Sequence, residues 1–389
     1  MIAITNGKIV TPDEIIENQI LLIDKGRIHS FSQNTDGAET VVDAQGRYIL
    51  PGLIDVHSDK IEQFIQPRPT SQMDFAFAFN ACERDLLSSG ITTMYHSIAL
   101  FQDELFGKSP LRTSENVKKI TDLIVGNQPH GRLIRHRVHL RIEIDNLDAY
   151  DLVQDMIRQG KVHQISFMDH TPGQGQYRNL EVYYDSISPR GGKEIETMGF
   201  EGVLEHHKTK QTLSLRQMKE LAALARANEI AVASHDDDCD EKLAINKEIG
   251  VDISEFPISL DVAKSAKAQG LFTVVGAPNI LRGCSHSGNM SGAEAVLEDL
   301  ADIICSDYYP AAILHSVFHM HTKYGVPLPQ MVNRVTFNPA RAMGTADDYG
   351  SIEPGKKADL LIVDMIANSP AITHVFVDGN QALNTEYWR

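Results

Sequence analysis

The middle of the chain alternates short, β-branched apolar runs with longer segments of helical periodicity. Short apolar runs between turn residues are typical of buried strands, and apolar residues at i, i+3, i+4 and i+7 are typical of amphipathic helices. The predicted strands are 53–56, 92–97, 138–144, 164–168, 230–234, 251–255, 272–276 and 302–306. The helical segments include 114–126, 147–159, 215–228 and 293–300. Eight such units predict an α/β fold of the TIM-like (β/α)8 barrel type, in which functional groups lie at the C-terminal ends of strands.

Both ends of the chain have a different sequence pattern, in which short apolar runs are interrupted by turn residues such as Asp24-Lys25-Gly26. This pattern over residues 1–50 predicts short strands, and it returns at 358–364 and 374–379. We therefore predict a small composite β-sandwich domain formed by residues 1–51 and 342–389. The barrel is expected to span residues 52–341.

One segment departs from the alternation between strands and helices. Residues 171–213 are rich in Gly, Pro, Tyr and charged residues, and they separate the fourth strand from its helix. Long insertions in compact domains are typically lids or binding loops. The segment is therefore predicted to be an insertion beside the functional site.

The composition is that of a folded soluble protein, with 42% hydrophobic and 23% charged residues. Its 36 basic and 52 acidic residues give a net charge of −16, which disfavours nucleic-acid or anionic-membrane partners that need clustered Lys and Arg. The four cysteines form no Cys-x-x-Cys pair, no apolar run approaches a membrane span, and the first residues lack the basic start of a signal peptide. We predict a cytoplasmic protein with no nucleic-acid and no membrane partner.

Candidate metal ligands stand where predicted strands end. His57 and Asp59 are two residues apart, so both side chains project to one side of an extended chain. Further candidates at strand ends are Glu143 in the third, His170 at the fourth, His235 at the fifth and Asp307 at the eighth. Nitrogen and carboxylate ligands without thiolates suit zinc, manganese, iron or cobalt. The pattern predicts a hydrolytic site with one or two divalent ions, zinc first and manganese or iron as alternatives.

Several of these residues have a second interpretation. His170 borders the insertion and could support a ligand or belong to a lid. Asp236, Asp237 and Asp238 are most simply solvated or helix-capping, although one of them could fix the tautomer of a ligating imidazole. Glu255, at the end of the sixth strand, is either a buried acceptor or a site residue, and we do not include it among the predicted ligands.

The loop after the seventh predicted strand is a candidate anion site. Loops after strands seven and eight commonly hold phosphate in such barrels, through backbone N–H groups at a helix start. Polar side chains of this loop would add donors: Arg282, Ser285, His286 and Asn289. Arg68, shortly after the first strand, is a further candidate cation. The alternatives are a Gly-rich turn that satisfies only its own backbone and, for Arg68, a surface arginine.

Two stretches resemble the amidohydrolase superfamily: residues 48–57, which lead into the first ligands, and residues 350–360. This resemblance implies a metal-bearing distorted barrel with a small composite β domain. The usual strand-one motif of that superfamily is His-x-His, whereas Asp59 takes the second place here. The fourth strand does not end in lysine, and the sixth does not end in histidine. The number of ions stays open.

A closer resemblance covers nearly the whole chain. The motifs that carry it are Pro51-Gly52-Leu53-Ile54, Pro67-Arg68-Pro69, His139-Leu140-Arg141, Met168-Asp169-His170, Ser234-His235-Asp236, Gly276-Ala277-Pro278-Asn279 and Ser306-Asp307-Tyr308. By these motifs the chain is similar to the alpha-D-ribose 1-methylphosphonate 5-triphosphate diphosphatase (PhnM) family of phosphonate metabolism. The resemblance implies hydrolysis of a ribose 1-phosphonate 5-triphosphate to the 5-phosphate and pyrophosphate.

Our working hypothesis is a metal-dependent diphosphatase with a small phosphorylated sugar as substrate. The metal would be held by His57, Asp59, Glu143, His170 and His235, with Asp307 accepting the proton of the attacking water. Arg68, Arg282, Ser285, His286 and Asn289 would bind the substrate. A C–N hydrolase such as a deacetylase, cyclic amidase or deaminase is the alternative enzyme, because the same ligands serve carbonyl carbon. A noncatalytic assembly member is the third alternative, and a homo-oligomeric state is left open.

Overall fold

The computed structural model describes residues 1–101, 110–127, 131–177, 180, 183, 192–283 and 289–388. The strands within these residues are β1 Ile2–Thr5, β2 Lys8–Val10, β3 Ile15–Ile16, β4 Ile20–Asp24, β5 Arg27–Ser32, β6 Thr40–Asp43, β7 Tyr48–Pro51, β8 Leu53–Ser58, β9 Ile91–Leu100, β10 Arg135–Glu143, β11 Gln164–Met168, β12 Ala231–His235, β13 Ile253–Glu255, β14 Phe272–Gly276, β15 Ile303–Cys305, β16 Leu360–Ile366, β17 Ser369–Val377 and β18 Asn380–Asn384.

The α-helices of the described residues are Lys60–Ile65, Phe75–Ser88, Ser114–Gly126, Ala149–Arg158, Gly192–Thr209, Leu215–Ala227, Asp240–Ile249, Leu260–Ala268, Ala277–Arg282, Gly292–Leu297, Ala312–Tyr324, Leu328–Asn333 and Phe337–Ala342. Short 3-10 turns cover Pro110–Arg112 and Gly175–Tyr177. Ser214 begins the helix Leu215–Ala227 with a capping box to Gln217, which confirms the predicted helix start.

Strands β8 to β15 form one parallel sheet of eight strands in the described part of the chain, and neighbours in the sheet are neighbours in sequence. The sheet closes on itself, because the Asp307 N–H donates to His57 O at 3.0 Å and the Asp59 N–H donates to Asp307 O at 3.2 Å. The buried Asp55 carboxyl group reinforces this seam by accepting from the Ser306 N–H and hydroxyl. The predicted (β/α)8 barrel is confirmed. Closure brings the end of β15 beside the end of β8.

The barrel is packed on both faces, as expected for a parallel sheet covered by helices. All ten residues of β9 are buried. Side chains such as Val56, Tyr95, Ala233 and Ile303 fill the bore. A larger apolar layer between strands and helices surrounds them. The polar groups above the bore therefore stand on a rigid support.

The chain ends form two further sheets among the described residues. One has the order β5-β4-β1-β6, and the other, β18-β17-β16-β7-β2-β3, combines strands from both ends. A separate apolar core, with Ile4, Ile9, Ile49 and Phe376 among its members, consists of residues from both sheets. This arrangement agrees with the expected composite β-sandwich. The domain boundaries at residues 51 and 342 stay a prediction.

The insertion at 171–213 is described in part. The helix Gly192–Thr209 is interrupted at Gly199, whose φ of +66° is left-handed. At its other end the insertion is tied to the barrel, because the Gly175 N–H donates to the Asp238 carboxylate at 2.8 Å. Its action as a lid stays a prediction.

No helix of the described residues combines the length and the apolar character needed to cross a lipid bilayer.

Candidate active site

A cavity of about 490 Å³ opens at the C-terminal ends of the barrel strands. Predicted site residues from five different parts of the barrel line it together: His57, Asp59, His170, His235, Asn289 and Asp307. Residues widely separated in sequence meet here because the closed barrel directs the end of every strand to one rim. Their individual roles stay predictions.

A buried cluster around Glu255, the last residue of β13, lies beneath the cavity. One of its carboxylate oxygens accepts from His57 Nδ1 at 3.0 Å and from Gln164 Nε2 at 3.1 Å. The other oxygen is buried and has no hydrogen-bond partner among the described residues, and His139 Nε2 lies 3.8 Å from it. Burial lowers the pKa of His57 well below its ordinary value. The His57 imidazole is therefore neutral and able to act as a ligand.

A second cluster joins the ends of β10, β11 and β12. His170 Nδ1 donates to the Glu143 carboxylate at 2.8 Å, and His235 Nδ1 is 2.7 Å from the Asp236 carboxylate. His170 Nε2 lies 3.9 Å from the same carboxylate of Asp236. Glu143 is buried and is not among the residues that line the cavity, so it lies behind His170 rather than at the surface of the cavity.

The carboxylates of this cluster govern its electrostatics. Burial opposes protonation of His170, but the adjacent Glu143 carboxylate outweighs it and raises the pKa of His170. Burial likewise works against the ionised form of Asp236, yet His235 and His170 lower its pKa to about 2. The cluster holds a persistent negative charge beside two imidazoles.

Asp307 lies at the barrel seam, facing Asp59. Burial, and after it the negative charge of Asp59, raises the pKa of Asp307 to about 6. A carboxyl group with a pKa near neutrality can accept a proton and release it again at physiological pH. The proton-accepting role of Asp307 stays a prediction.

Left-handed backbone recurs at the strand ends around the cavity. Asp236, Phe256 and Asp307 have φ values of +53°, +56° and +59°. Such a conformation is uncommon for a residue with a bulky side chain and persists only where its surroundings fix it. The Phe256 N–H donates to Val274 O at 2.9 Å, and its ring lies 5.0 Å from that of His57 and 4.9 Å from that of His235. Phe256 forms an apolar wall directly against the candidate ligands.

Asp237 supports the turn that carries His235. Its fully buried carboxylate accepts from the hydroxyls of Ser234 and Ser254 and from Asn246 Nδ2 at 2.6, 2.5 and 2.8 Å. The Lys242 ammonium donates to the carbonyls of His235 and Asp236. A buried carboxylate with this many donors fixes the loop, and with it the two side chains that face the cavity.

Two arginines line the same cavity as the imidazoles. Arg141 lies on β10, two residues before Glu143, and its Nε contacts Met168 Sδ at 2.9 Å. No carboxylate of the described residues lies within ion-pair distance of it. Arg112 pairs with Glu62 at 3.0 Å. Burial opposes the charged form of Arg112, but Glu62 outweighs it and raises its pKa. The cavity thus contains positive charge beside its metal-type ligands.

The cations predicted from sequence lie elsewhere. Arg68 and Arg282 are exposed and are not among the residues that line the cavity. Ser285 and His286 fall outside the described residues, whereas Asn289 lines the cavity and is half-buried. The substrate-binding roles of these residues stay predictions.

Arg112 and Arg141 are not among the site residues predicted from sequence, and Glu255 and Asp236 are not among the predicted ligands. A local signal existed for Arg141, since strand periodicity places it on the same face as Glu143. Glu255 ends a predicted strand in the same way as Glu143. Arg112 ends the short 3-10 turn Pro110–Arg112, which is too short for a periodic pattern to indicate the direction of a side chain.

The donor set fits a divalent metal ion. Two groups within the described residues hold their ligand atoms within 4.8 Å of one another: His57, His235 and Glu255, and His170, His235 and Asp236. Imidazole and carboxylate donors without thiolate match zinc, manganese or iron. The unpartnered Glu255 oxygen is the strongest indication, because a fully buried carboxylate oxygen without a donor is costly unless a cation satisfies it. Of the predicted ligands, His57, His170 and His235 belong to these groups, and Asp59 and Glu143 do not.

A family profile described as the amidohydrolase family matches residues 190–382. The alpha-D-ribose 1-methylphosphonate 5-triphosphate diphosphatase of Escherichia coli K12 is 34% identical over 97% of this chain and 99% of its own length. The imidazolonepropionase of Thermoplasma volcanium is 23% identical over 90% of this chain and 85% of its own. Among solved structures, N-acetylglucosamine-6-phosphate deacetylase from Pasteurella multocida superposes with a TM-score of 0.67 at 14% identity, over 98% of this chain and 99% of that chain.

Proposed function

Because the chain belongs to the amidohydrolase family, we propose that its barrel cavity hydrolyses a phosphoric anhydride. The proposed substrate is alpha-D-ribose 1-methylphosphonate 5-triphosphate or a related ribose 1-phosphonate triphosphate. The proposed products are the 5-phosphate and pyrophosphate. The activity of the Escherichia coli relative supports this substrate class.

The observation that carries the proposal is the position of Arg141. Its guanidinium faces the cavity beside the candidate metal ligands, although no carboxylate of the described residues pairs with it. A guanidinium that lines such a cavity without a carboxylate partner among the described residues is available to bind an anionic substrate. Arginine binds phosphate oxygens in a bidentate manner, and such charge stabilisation dominates phosphoryl transfer. A neutral amide substrate would not require this positive charge in the cavity.

The charge balance of the site links the metal to the substrate. Three acidic side chains line the cavity (Asp59, Asp236 and Asp307), and Glu143 and Glu255 lie beneath it. Against them stand two arginines, which leaves a formal excess of three negative charges. A polyphosphate would be repelled from this set of residues alone. Two divalent cations held by the imidazoles and carboxylates would reverse this formal charge, and one would reduce it to a single negative charge.

We assign the metal-binding role to His57, His170, His235, Asp236 and Glu255, supported by Glu143, with Asp59 as the remaining predicted ligand. When bound, a divalent ion would lower the pKa of a water molecule and polarise the phosphoryl group. Arg141 and Arg112 bind the phosphate oxygens and hold the chain of phosphates in line with the attacking water. Phe256 keeps bulk water away from the imidazole side.

Asp307 moves the proton. A water oxygen forms a bond to the phosphorus next to the sugar, and Asp307 accepts the proton that this water loses. The anhydride bond to the next phosphate breaks, and pyrophosphate leaves with its electron pair. Asp307 must be ionised to accept the proton, which its pKa of about 6 allows at neutral pH.

Product analysis tests the proposal directly. The protein, with its metal content measured, is incubated with a panel of ribose triphosphates in oxygen-18 water and followed by phosphorus NMR. We expect pyrophosphate and the 5-phosphate in equal amounts, with the label in the 5-phosphate. Release of single phosphates, or no hydrolysis by metal-loaded protein, would contradict the proposal.

Matched arginine variants test the observation behind it. Arg141→Gln should lower kcat/KM for ribose 5-triphosphate about 10- to 100-fold, the value of one or two hydrogen bonds to a charged group. Arg68→Gln and Arg282→Gln are the controls, and each should change it by less than about twofold because both arginines are exposed outside the cavity. A loss confined to the controls would return the anion-binding role to the arginines predicted from sequence.

A C–N hydrolase is the second candidate, favoured by the deacetylase fold neighbour and the imidazolonepropionase relative. The same panel extended with N-acetylated sugars, cyclic amides and imidazolones separates the two, since amide cleavage releases no pyrophosphate.

A further inference from the structure

The two arginines and the two asparagines that line the cavity lie on opposite sides of the barrel mouth. Arg112 follows β9, and Arg141 lies on β10. Phe256 follows β13, and Asn279 and Asn289 follow β14. In a closed sheet of eight strands in sequence order, β9 stands across from β13 and β10 across from β14. The candidate metal ligands lie between these two sides.

The side opposite the arginines has the chemistry of a sugar site. Pro257, Met290 and the Phe256 ring supply apolar surface, and Asn279 and Asn289 supply carboxamides. A carboxamide both donates and accepts, which matches hydroxyl groups that do the same. Neither group attracts a phosphate oxygen as strongly as a guanidinium.

Asn279 carries an additional signal. Its Oδ1 is buried and has no hydrogen-bond partner among the described residues. Leaving such an acceptor unsatisfied costs folding free energy, and a bound ligand or an ordered water is one explanation for such a group. Its position near the start of the helix Ala277–Arg282, directly after β14, fixes the carboxamide at the cavity wall.

This side is also rigid. The Met290 N–H donates to Ile258 O at 2.9 Å, which ties the segment after β14 to the segment after β13. Gly292 lies so close to Ile280 that a Cβ there would come within 2.9 Å of its side chain. With Phe256 held in left-handed backbone, the wall is already formed before any ligand binds.

We propose that the cavity is divided into two halves, which makes Asn279 and Asn289 specificity-determining residues for a ribosyl group. The sugar lies on Phe256 with its hydroxyls against the two carboxamides, and the triphosphate extends across the imidazoles toward Arg112 and Arg141. This inference rests on the proposed function. It adds the orientation of the substrate and the reason why a sugar-bearing triphosphate is preferred to a bare polyphosphate.

The test compares two substrates that differ only in the sugar: ribose 5-triphosphate and inorganic triphosphate. Asn279→Ala and Asn289→Ala should each lower kcat/KM for ribose 5-triphosphate about tenfold. This is the effect expected when one strong hydrogen bond between neutral groups is lost. Both should leave kcat/KM for inorganic triphosphate within about twofold of the wild type. Arg141→Gln should lower both by the same factor.

Asn380→Ala is the matched control, because this carboxamide is exposed at the start of β18. Metal content and Tm are measured for every variant, and two separate Asn variants keep the test valid if one of them does not fold. An equal loss on both substrates, or no loss on ribose 5-triphosphate, would overturn the division of the cavity while leaving the proposed function intact. A metal-loaded wild type that cleaves neither triphosphate would overturn both.

Discussion

Replacing Glu255 by glutamine should change metal affinity and the stability of the metal-free protein in opposite directions. Glu255 accepts hydrogen bonds from His57 and Gln164 through one oxygen, while the other oxygen is buried without a partner among the described residues. Glutamine keeps the shape and one acceptor oxygen but removes the charge. The substitution therefore separates the need for a cation from the packing of the site.

The magnitudes follow from these contacts. Loss of a carboxylate that orients a ligating histidine typically lowers metal affinity about 10- to 100-fold, and direct ligation by Glu255 would make the loss larger. In the metal-free protein an unsatisfied charged oxygen is replaced by a neutral amide, which should raise the free energy of unfolding by about 1–2 kcal/mol. That gain corresponds to a rise in Tm of a few degrees.

The assay is a zinc titration against a competing chelator, together with thermal unfolding of the metal-free protein. Glu248→Gln is the control, since Glu248 is exposed and pairs only with Lys219 among the described residues. An E255Q protein with unchanged zinc affinity would refute the assignment of Glu255 to the metal site. A metal-free E255Q protein that is less stable than the wild type would refute the argument about its unpartnered oxygen.

Three further predictions follow from the same geometry. Asp307→Asn should lower kcat at least about 100-fold without loss of metal. The kcat of the wild type should fall as the pH drops below about 6, because protonation of Asp307 removes the proton acceptor. A flat pH–rate profile between pH 5 and 8 would contradict this role. Removal of divalent metal should abolish binding of pyrophosphate in calorimetry, whereas binding that persists after chelation would show that the two arginines suffice. Glu83→Ala should lower the free energy of unfolding by about 3 kcal/mol with metal content retained. The reason is that the buried Glu83 accepts hydrogen bonds from His136 Nε2 at 3.1 Å and from the Leu133 N–H at 2.8 Å. An unchanged midpoint of unfolding in denaturant would contradict this prediction.

Local patterns were sufficient to predict the barrel. Each predicted strand overlaps one of β8 to β15, and the helix 114–126 has the predicted bounds. These elements are predictable because burial on both faces produces continuous apolar runs and because caps such as Ser214 mark helix starts. The candidate ligands at strand ends followed from the same pattern, since a parallel barrel gathers these ends at one rim.

Local patterns could not decide which of two similar residues belongs to the site. Both Glu143 and Glu255 end predicted strands, yet Glu255 lies with His57 while Glu143 lies behind His170. Asp236 was most simply interpreted as solvated, but it is buried against His235 because left-handed backbone turns it inward. Such differences depend on which neighbours each side chain meets once the sheet closes.

The sequence by itself determined the order of strands and helices, the eight-stranded barrel and the rim on which imidazoles and carboxylates gather, because hydrophobic periodicity and turn residues act over short distances along the chain. Only the tertiary structure decided which arginines enter the cavity. Arg141 faces it from β10 and Arg112 reaches it from a short 3-10 turn, while Arg68 and Arg282 remain exposed. The direction of a loop side chain and the pairing of its charge depend on contacts between distant segments, and no local pattern encodes them.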